Sequence, residues 1–416
     1  MSSTASRIVL YGHFGSGNIG NDSSLEAMLH AIRKYRPTAE VICICNGPQV
    51  VKERFGIETM QIGATHNVEN EESADRIVSL FKKILRRISS EIEFWVRRAR
   101  WFRPGDQFIV VGTGAVDDMA VKHPWNAPYE LYKWCSVAKL GGARLVFLSV
   151  GVGPIQNRAS RVLMLKALGK ADYRSYRETV AFDYLKSVGF STKGDLLYPD
   201  LVFSLPQESL PAPKGSSTPP YVVGLGLINY YGWGYDPTNG ERIYQEYISK
   251  IKCFVEWLLD KGFTIRIISG DDVDERPVQE TMDYVAQEES SQLDKLIVEK
   301  ITDVKELFGQ IAQTNIVVAS RFHNVLCSLM LERPVISLGY HAKNSALMNE
   351  MGLSTYCQHI ETFTFEKLVE QVESYLSNMD QATQQIHQRQ KEYRILLDEQ
   401  YRNILLAENK NNRQQE

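Results

Sequence analysis

One stretch of this 416-residue chain gathers side chains suited to chemistry. In VVASRFHNVLCSLMLERPVISLGYHAKNSALMNEMGL, residues 317–353, an apolar run ends at Ser320-Arg321-Phe322-His323. A helical pattern follows, and a second apolar run ends at Gly339-Tyr340-His341-Ala342-Lys343. If the two runs are neighbouring strands, Arg321, His323 and Lys343 converge at the carboxyl edge of one sheet. Arginine and lysine neutralise phosphate and carboxylate, and an imidazole moves a proton near neutral pH. An anionic phosphate-bearing ligand is the guest for such a set. Taken alone, His323 also reads as a satisfied helix cap.

Three loops carry further candidates. GHFGSGNIGND links the first apolar run to the first helical pattern and contains Gly15-x-Gly17-Asn18-x-Gly20. Glycine lets a backbone approach a ligand closely, and the helix behind it offers free N–H groups to an anion. The second apolar run ends in CNGPQ without the acidic residue of a dinucleotide site, which argues against NAD. The structural alternative is a tight turn whose helix is capped by Asn21 or Asp22, and Asp22 is the expected cap. VVGTGAVDD, residues 110–118, ends in Asp117 and Asp118, which read as a base or acceptor-hydroxyl ligands, or as a cap with a solvated acid. Thr113 adds a hydroxyl able to bond a phosphate or a sugar. SGDDVDE, residues 269–275, reads as a solvated acidic loop beside the acceptor rather than a metal site.

The elements that must position these residues follow a simple alternation. RIVLYG, AEVICIC, QFIVVGTG and ARLVFLSVGVGP read as strands, and helical patterns separate them. The alternation pauses at residues 205–220, a Pro/Ser/Gly-rich linker, and restarts with YVVGLGLI, FTIRIISGD, TNIVVAS and PVISLGY. Glycine at strand ends and continuous apolar runs indicate parallel sheets covered on both faces. The fold class is therefore α/β, with two Rossmann-like domains facing a cleft in a glycosyltransferase-B-like plan. The expected limits are 1–204, with a basic insertion at 75–103, and 221–376, followed by a C-terminal helix and frayed tail at 377–416. Ligands of open α/β sheets sit at strand carboxyl ends.

In order along the chain, these motifs resemble those of the polysaccharide pyruvyl transferases over about residues 7–360. The GN-x-G turn at Gly17, Asn18 and Gly20 is similar to the family's N-terminal motif, with Asn21 where many members carry an acid. VVGTGAVDD is similar to its triple-glycine loop, with Thr113 interrupting the glycines. SVGVGPIQ resembles its G-x-G-P turn. Ser175, Arg177 and Glu178 match its S-x-R-D motif, and Pro199-Asp200 its P-D segment. Arg321-x-His323 followed by Tyr340-x-x-Lys343 resembles its C-terminal signature. Alone, Arg177 reads as a surface ion pair; the resemblance implies an anion ligand.

The resemblance implies transfer of the enolpyruvyl unit of phosphoenolpyruvate to a sugar or lipid-linked oligosaccharide as a cyclic ketal. His323 would protonate the donor methylene, while Arg321, Lys343 and Arg177 hold carboxylate and phosphate. It requires no metal or organic cofactor. Other readings of the same plan are a glycosyltransferase, a nucleotide-sugar epimerase, or a membrane-associated assembly factor with a degenerate pocket.

Charge and composition narrow the partners. The formal net charge is −3, which gives no global reason to expect nucleic acid. Local charge differs: DRIVSLFKKILRRISSEIEFWVRRARWFR, residues 75–103, holds nine basic residues against three acids. Ile77, Phe81, Ile84, Ile88, Ile92 and Trp95 recur there at helical spacing. A basic amphipathic helix with tryptophan suits an anionic membrane surface; an ordinary packed helix with a solvated basic face is the competing reading. The six cysteines form no C-x-x-C pair and read as buried free thiols. No stretch reaches the roughly 18 apolar residues of a membrane span. The expected location is the cytoplasm, with residues 75–103 as a contact to the inner face of the cell membrane.

Overall fold

The apolar runs become strands because burial satisfies them on both faces. In the computed structural model, RIVLY, QFIVV, IVVA and VISLG are buried at every position. Residues 7–63, 76–117, 123–212, 214, 218–232, 237–269 and 272–406 are described. The chain divides into two units. The first holds the chain to Ser16, Ser24–Leu201 and the end from Glu399; the second holds Gly17–Ser23 and Val202–Asp398.

In chain order the first unit is built from β1 (Arg7–Tyr11), α1 (Ile19–Tyr35), β2 (Glu40–Cys45), α2 (Pro48–Phe55) and β3 (Glu58–Gln61). Next come α3 (Arg76–Trp101), β4 (Gln107–Val111), α4 (Ala127–Leu140) and β5 (Arg144–Val150). It continues with α5 (Arg158–Leu168), β6 (Tyr173–Tyr176), α6 (Thr179–Ser187) and β7 (Leu196–Leu197). The strands form one parallel sheet in the order β3-β2-β1-β4-β5-β6-β7. Val9, Phe108, Val110, Phe147 and Trp134 anchor the core under it. Burying each large side chain contributes about 1.5–3 kcal/mol, and Trp134 keeps its Nε1 proton satisfied on the Ile62 carbonyl at 2.9 Å.

The second unit repeats the plan with β8 (Val222–Gly226), α7 (Pro237–Asp260), β9 (Thr264–Ile267) and α8 (Glu275–Glu288). Then follow β10 (Leu296–Val298), α9 (Val304–Ala312), β11 (Ile316–Ala319), α10 (Phe322–Met330) and β12 (Val335–Gly339). The last elements are α11 (Ala342–Glu350), β13 (Cys357–His359), α12 (Phe365–Ser377) and α13 (Met379–Leu405). Its sheet is also parallel, ordered β10-β9-β8-β11-β12-β13. Shifted to a common origin, this is the same order as the first sheet less its last strand. Each order reverses at one point, between β1 and β4 and between β8 and β11. That switch point opens a crevice at the strand carboxyl ends, where such sheets take ligands.

Local chemistry marks the element ends. The Asn157 side chain accepts from Ala159 N and Ser160 N to cap α5, and Asp303 accepts from Glu306 N to cap α9. Gly56, at φ 66°, ends α2 in the left-handed region that suits glycine. The expected cap of α1 is corrected. The helix begins at Ile19, and Asn18 Oδ1 accepts from Asn21 N at 3.1 Å, so Asn18 caps it and Asp22 lies buried in the first turn. The thiol reading also changes in detail: Cys43, Cys45, Cys135 and Cys327 are buried, whereas Cys253 is exposed. The long C-terminal helix is α13, and the tail expected to fray, from residue 407, lies outside the described residues.

Candidate functional site

The switch point of the second unit collects most of the candidate chemistry. β11 and β12 are parallel neighbours, so the turns that follow them lie side by side. Arg321 occupies the cap position of α10, and His341 caps α11 by accepting from Lys343 N on Nδ1 at 3.0 Å. The Lys343 Nζ sits 5.2 Å above the Phe322 ring, and that ring meets the His323 imidazole edge to face at 5.5 Å. Phe322 thus spaces the lysine from the histidine. Both helix N-termini add partial positive charge to the same edge. Asn344 Nδ2 donates to the Ser320 carbonyl at 3.4 Å and ties the two turns. Asn324 Nδ2 donates to the Ile268 carbonyl at 2.8 Å and ties α10 to the end of β9.

Arg321 is held by a residue that sequence spacing did not single out. Its Nε and Nη2 donate to Asp274 Oδ2 and Oδ1, each at 2.7 Å. Asp274 is fully buried and also accepts from Asn229 N at 2.9 Å, just beyond β8. The acidic loop read as solvated therefore supplies a buried counter-ion. Burial pushes the nearby Tyr247 hydroxyl up to about 12, against the Ile228 amide, which donates to it at 3.4 Å. The same unit takes in Gly17–Ser23. A Cβ at Gly20 would lie 1.6 Å from His323 Nε2, so only glycine leaves room for that imidazole.

The switch point of the first unit holds a second constellation. His13 follows β1 and Asp117 follows β4. Burial lowers the His13 pKa from its ordinary value, against the opposing pull of Asn46 and Asp117. Asn46 Nδ2 lies 3.0 Å from His13 Nδ1. Asp117 is wedged between glycines: a Cβ at Gly114 would come 2.8 Å from its Oδ2, and one at Gly153 2.9 Å from its Cβ. A parallel bridge from Val116 to Val152 holds the two loops together. Arg177 Nη1 donates to Asp200 Oδ2 at 2.7 Å, and Glu178 lies 3.7 Å from its Nε. Burial draws the Arg177 pKa down, but Asp200, Glu178 and Asp117 outweigh it and raise it overall.

The description of the polysaccharide pyruvyl transferases matches residues 18–342, most of the chain. The chain belongs to that family. No curated protein matches its sequence as a relative. Solved structures show which fold this pyruvyl transferase family member shares. The UDP-GlcNAc 2-epimerase of Methanocaldococcus jannaschii is 12% identical, with 90% of this chain and 93% of that one covered at a TM-score of 0.55. HepE of Anabaena in complex with UDP-glucose is 9% identical, with 96% and 99% covered at 0.57. A glycosyltransferase of Rickettsia africae is 13% identical, with 97% and 100% covered at 0.54. At such identities the likeness is one of fold, the glycosyltransferase-B-like plan of two parallel sheets with flanking helices.

In this family member the expected residues fall into two groups. Arg321, His323 and Lys343 gather on the second unit's switch point, joined by Gly20, while Asn18 caps the helix that carries Gly20. Asp117 and Arg177 gather in the first unit, where Asp117 is among the charges that raise the arginine's pKa. Asp118 lies outside the described residues. Gly17, at φ 85°, has open space where a Cβ would be, so backbone conformation rather than crowding requires glycine there. Thr113 is 1% exposed, so its side chain is buried in the turn. Asp274 and His13 are the residues that sequence reading passed over. Asp274 stood in a cluster of acids with no periodicity to separate it, whereas His13 sat inside the quoted glycine turn. Among the described residues no group of three or more His, Cys, Asp or Glu is arranged to hold a metal ion.

Proposed function

We propose that this chain transfers pyruvate from phosphoenolpyruvate to a sugar of a cell-surface polysaccharide or its lipid-linked precursor, as a cyclic ketal. The observation that carries the reading is the convergence of Arg321, His323 and Lys343 on one sheet edge in a member of this family. His323 as imidazolium gives its proton to the donor methylene. The phosphate-bearing carbon becomes oxocarbenium-like, and one sugar hydroxyl adds to it. That hydroxyl's proton restores the imidazolium. The C–O bond to phosphate then breaks, a neighbouring hydroxyl closes the ring, and its proton leaves with the phosphate. A methyl group and a carboxylate remain on the ketal carbon.

The roles follow from charge. Arg321 is paired one to one with the Asp274 carboxylate, so Lys343 and the N-termini of α10 and α11 supply further positive field for carboxylate and phosphate. Gly17, Asn18 and Gly20 bring backbone close to the donor, and Arg177 completes the donor-binding set of this reading. Asp117 and Asp118 accept from the acceptor hydroxyls. A lipid-linked acceptor would draw the enzyme to a membrane face, and α3 is the element suited to it.

The test has two arms. In thermal unfolding, phosphoenolpyruvate should raise the midpoint of the wild-type protein and UDP-sugars should not, because only a ligand of the native state stabilises it. A shift with UDP-sugars alone would move the assignment to glycosyl transfer or epimerisation, and no shift with either would leave a non-enzymatic role. His323→Ala should keep the phosphoenolpyruvate shift and lose acceptor-dependent phosphate release by at least about 10²-fold. Near-normal release from that variant would remove His323 from the proton transfer.

A further inference from the structure

We propose that α3 docks this protein on an anionic lipid surface through its exposed apolar stripe. The proposal concerns a surface of the first unit and does not rest on the transfer reaction. α3 spends one face on the core. Phe94, Trp95, Ala99 and Trp101 pack against the buried cluster beneath the sheet. Arg98 folds inward over the Phe94, Trp101 and Trp134 rings, and burial lowers its pKa. A second face remains apolar and uncovered: Ile88 is 51% exposed, Ile92 60% and Val96 46%. These positions are four residues apart, so they stack along one side of the helix. With Glu91 and Trp95 they line an open groove of about 410 Å³.

The charges around this stripe select the occupant. Of the two acids in α3, Glu91 is turned to Tyr129 Oη at 2.9 Å and Lys133 Nζ at 3.4 Å, and Glu93 is paired with Arg97 one turn on. Arg100 and Arg103 are exposed beyond them. Upstream on the same helix the sequence places Lys82, Lys83, Arg86 and Arg87. The chain as a whole carries a formal charge of −3, so this segment's excess of basic residues is a local concentration against the overall sign. Trp125, 71% exposed, meets Tyr129, the residue bonded to Glu91, edge to face at 5.8 Å, and so adds an aromatic ring on the α3 side. Uncovered isoleucines, arginine and lysine with their own acids engaged, and a tryptophan fit an interface of acyl chains below anionic headgroups. A protein partner would need an acidic groove of matching shape; a lipid surface needs only its charge and its apolar edge.

The full-length protein should cosediment with vesicles mixing phosphatidylglycerol and phosphatidylcholine, and at least about tenfold less with phosphatidylcholine alone. Binding should fall as salt rises. Ile88→Asp with Ile92→Asp, both at exposed positions, should lower binding to the mixed vesicles by at least about tenfold, and Arg100→Glu with Arg103→Glu should do the same. The proposal is overturned by equal binding to both vesicle types, by no binding to either, or by variants that bind like wild type. Light scattering covers the rival occupant. If wild type is a dimer that the Ile88→Asp/Ile92→Asp variant splits, the stripe is a self-association surface and the lipid assignment fails.

Discussion

At the scale of single residues, the informative one is Asp274. A carboxylate buried completely survives only with a partner, and this one has the Arg321 fork and the Asn229 amide. It acts as a positioning residue, fixing the arginine at the mouth of the switch point. Asp274→Ala removes the acceptor of a part-buried amide and one half of a mostly buried pair, which should cost about 2–3 kcal/mol once the partial exposure of Arg321 is discounted. Asp274→Asn keeps an acceptor for Asn229 and should cost about half of that. Urea unfolding of the two variants checks the order; equal losses, or a loss in the alanine variant below about 0.5 kcal/mol, would mean the pair holds nothing. Arg177 is the first unit's counterpart. Its fork faces Asp200 inside the protein, so an ion pair is present, but a buried one rather than the surface pair its sequence context suggests when read alone.

At the scale of elements, the turns after the strands do the work, and glycine makes them possible. Gly15 and Gly47 lie back to back, where a Cβ on either would come within 2.5 Å of the other's carbonyl oxygen. That close approach packs the β1–α1 turn on the β2–α2 turn. Gly20 has a different task, since it clears the space that His323 fills. Gly20→Ala should fold, because alanine favours the helix, yet push the imidazole aside by about an ångström or more, enough to cost on the order of 10²-fold in turnover. Phosphate-release kinetics beside a thermal melt test this. Unchanged turnover would show that His323 has slack, and a collapsed melt would show that the glycine is structural. The strands around these turns were legible in the sequence because buried parallel strands are continuous apolar runs. The short edge strands β3, β10 and β13 were not, since three or four half-exposed residues leave no periodic signal.

At the scale of the whole chain, α13 leaves one unit and finishes in the other. Gln400 is fully buried; it accepts from Ser149 Oγ at 3.2 Å and donates to Ser175 Oγ at 2.8 Å. The Ile404 carbonyl accepts from Gln107 and Arg144, and the Leu405 carbonyl from Arg36. Ending the chain after Asp398 removes these bonds and the burial of Tyr401, Ile404 and Leu405, a loss on the order of 5 kcal/mol. Calorimetry should then show the first unit melting well below its wild-type temperature, while an unchanged melt would make the last turns of α13 dispensable. The sequence by itself determined the two repeated α/β units, the family and the neighbourhood of Arg321, His323 and Lys343. Hydrophobic runs and turn residues are local signals, and the family match runs over residues 18–342. Only the tertiary structure decided that Asp274 holds Arg321, that Gly20 makes room for His323, and that α3 packs one face while leaving an apolar stripe uncovered. Each of those joins or divides surfaces by packing between segments far apart in the chain, about which local composition carries no information.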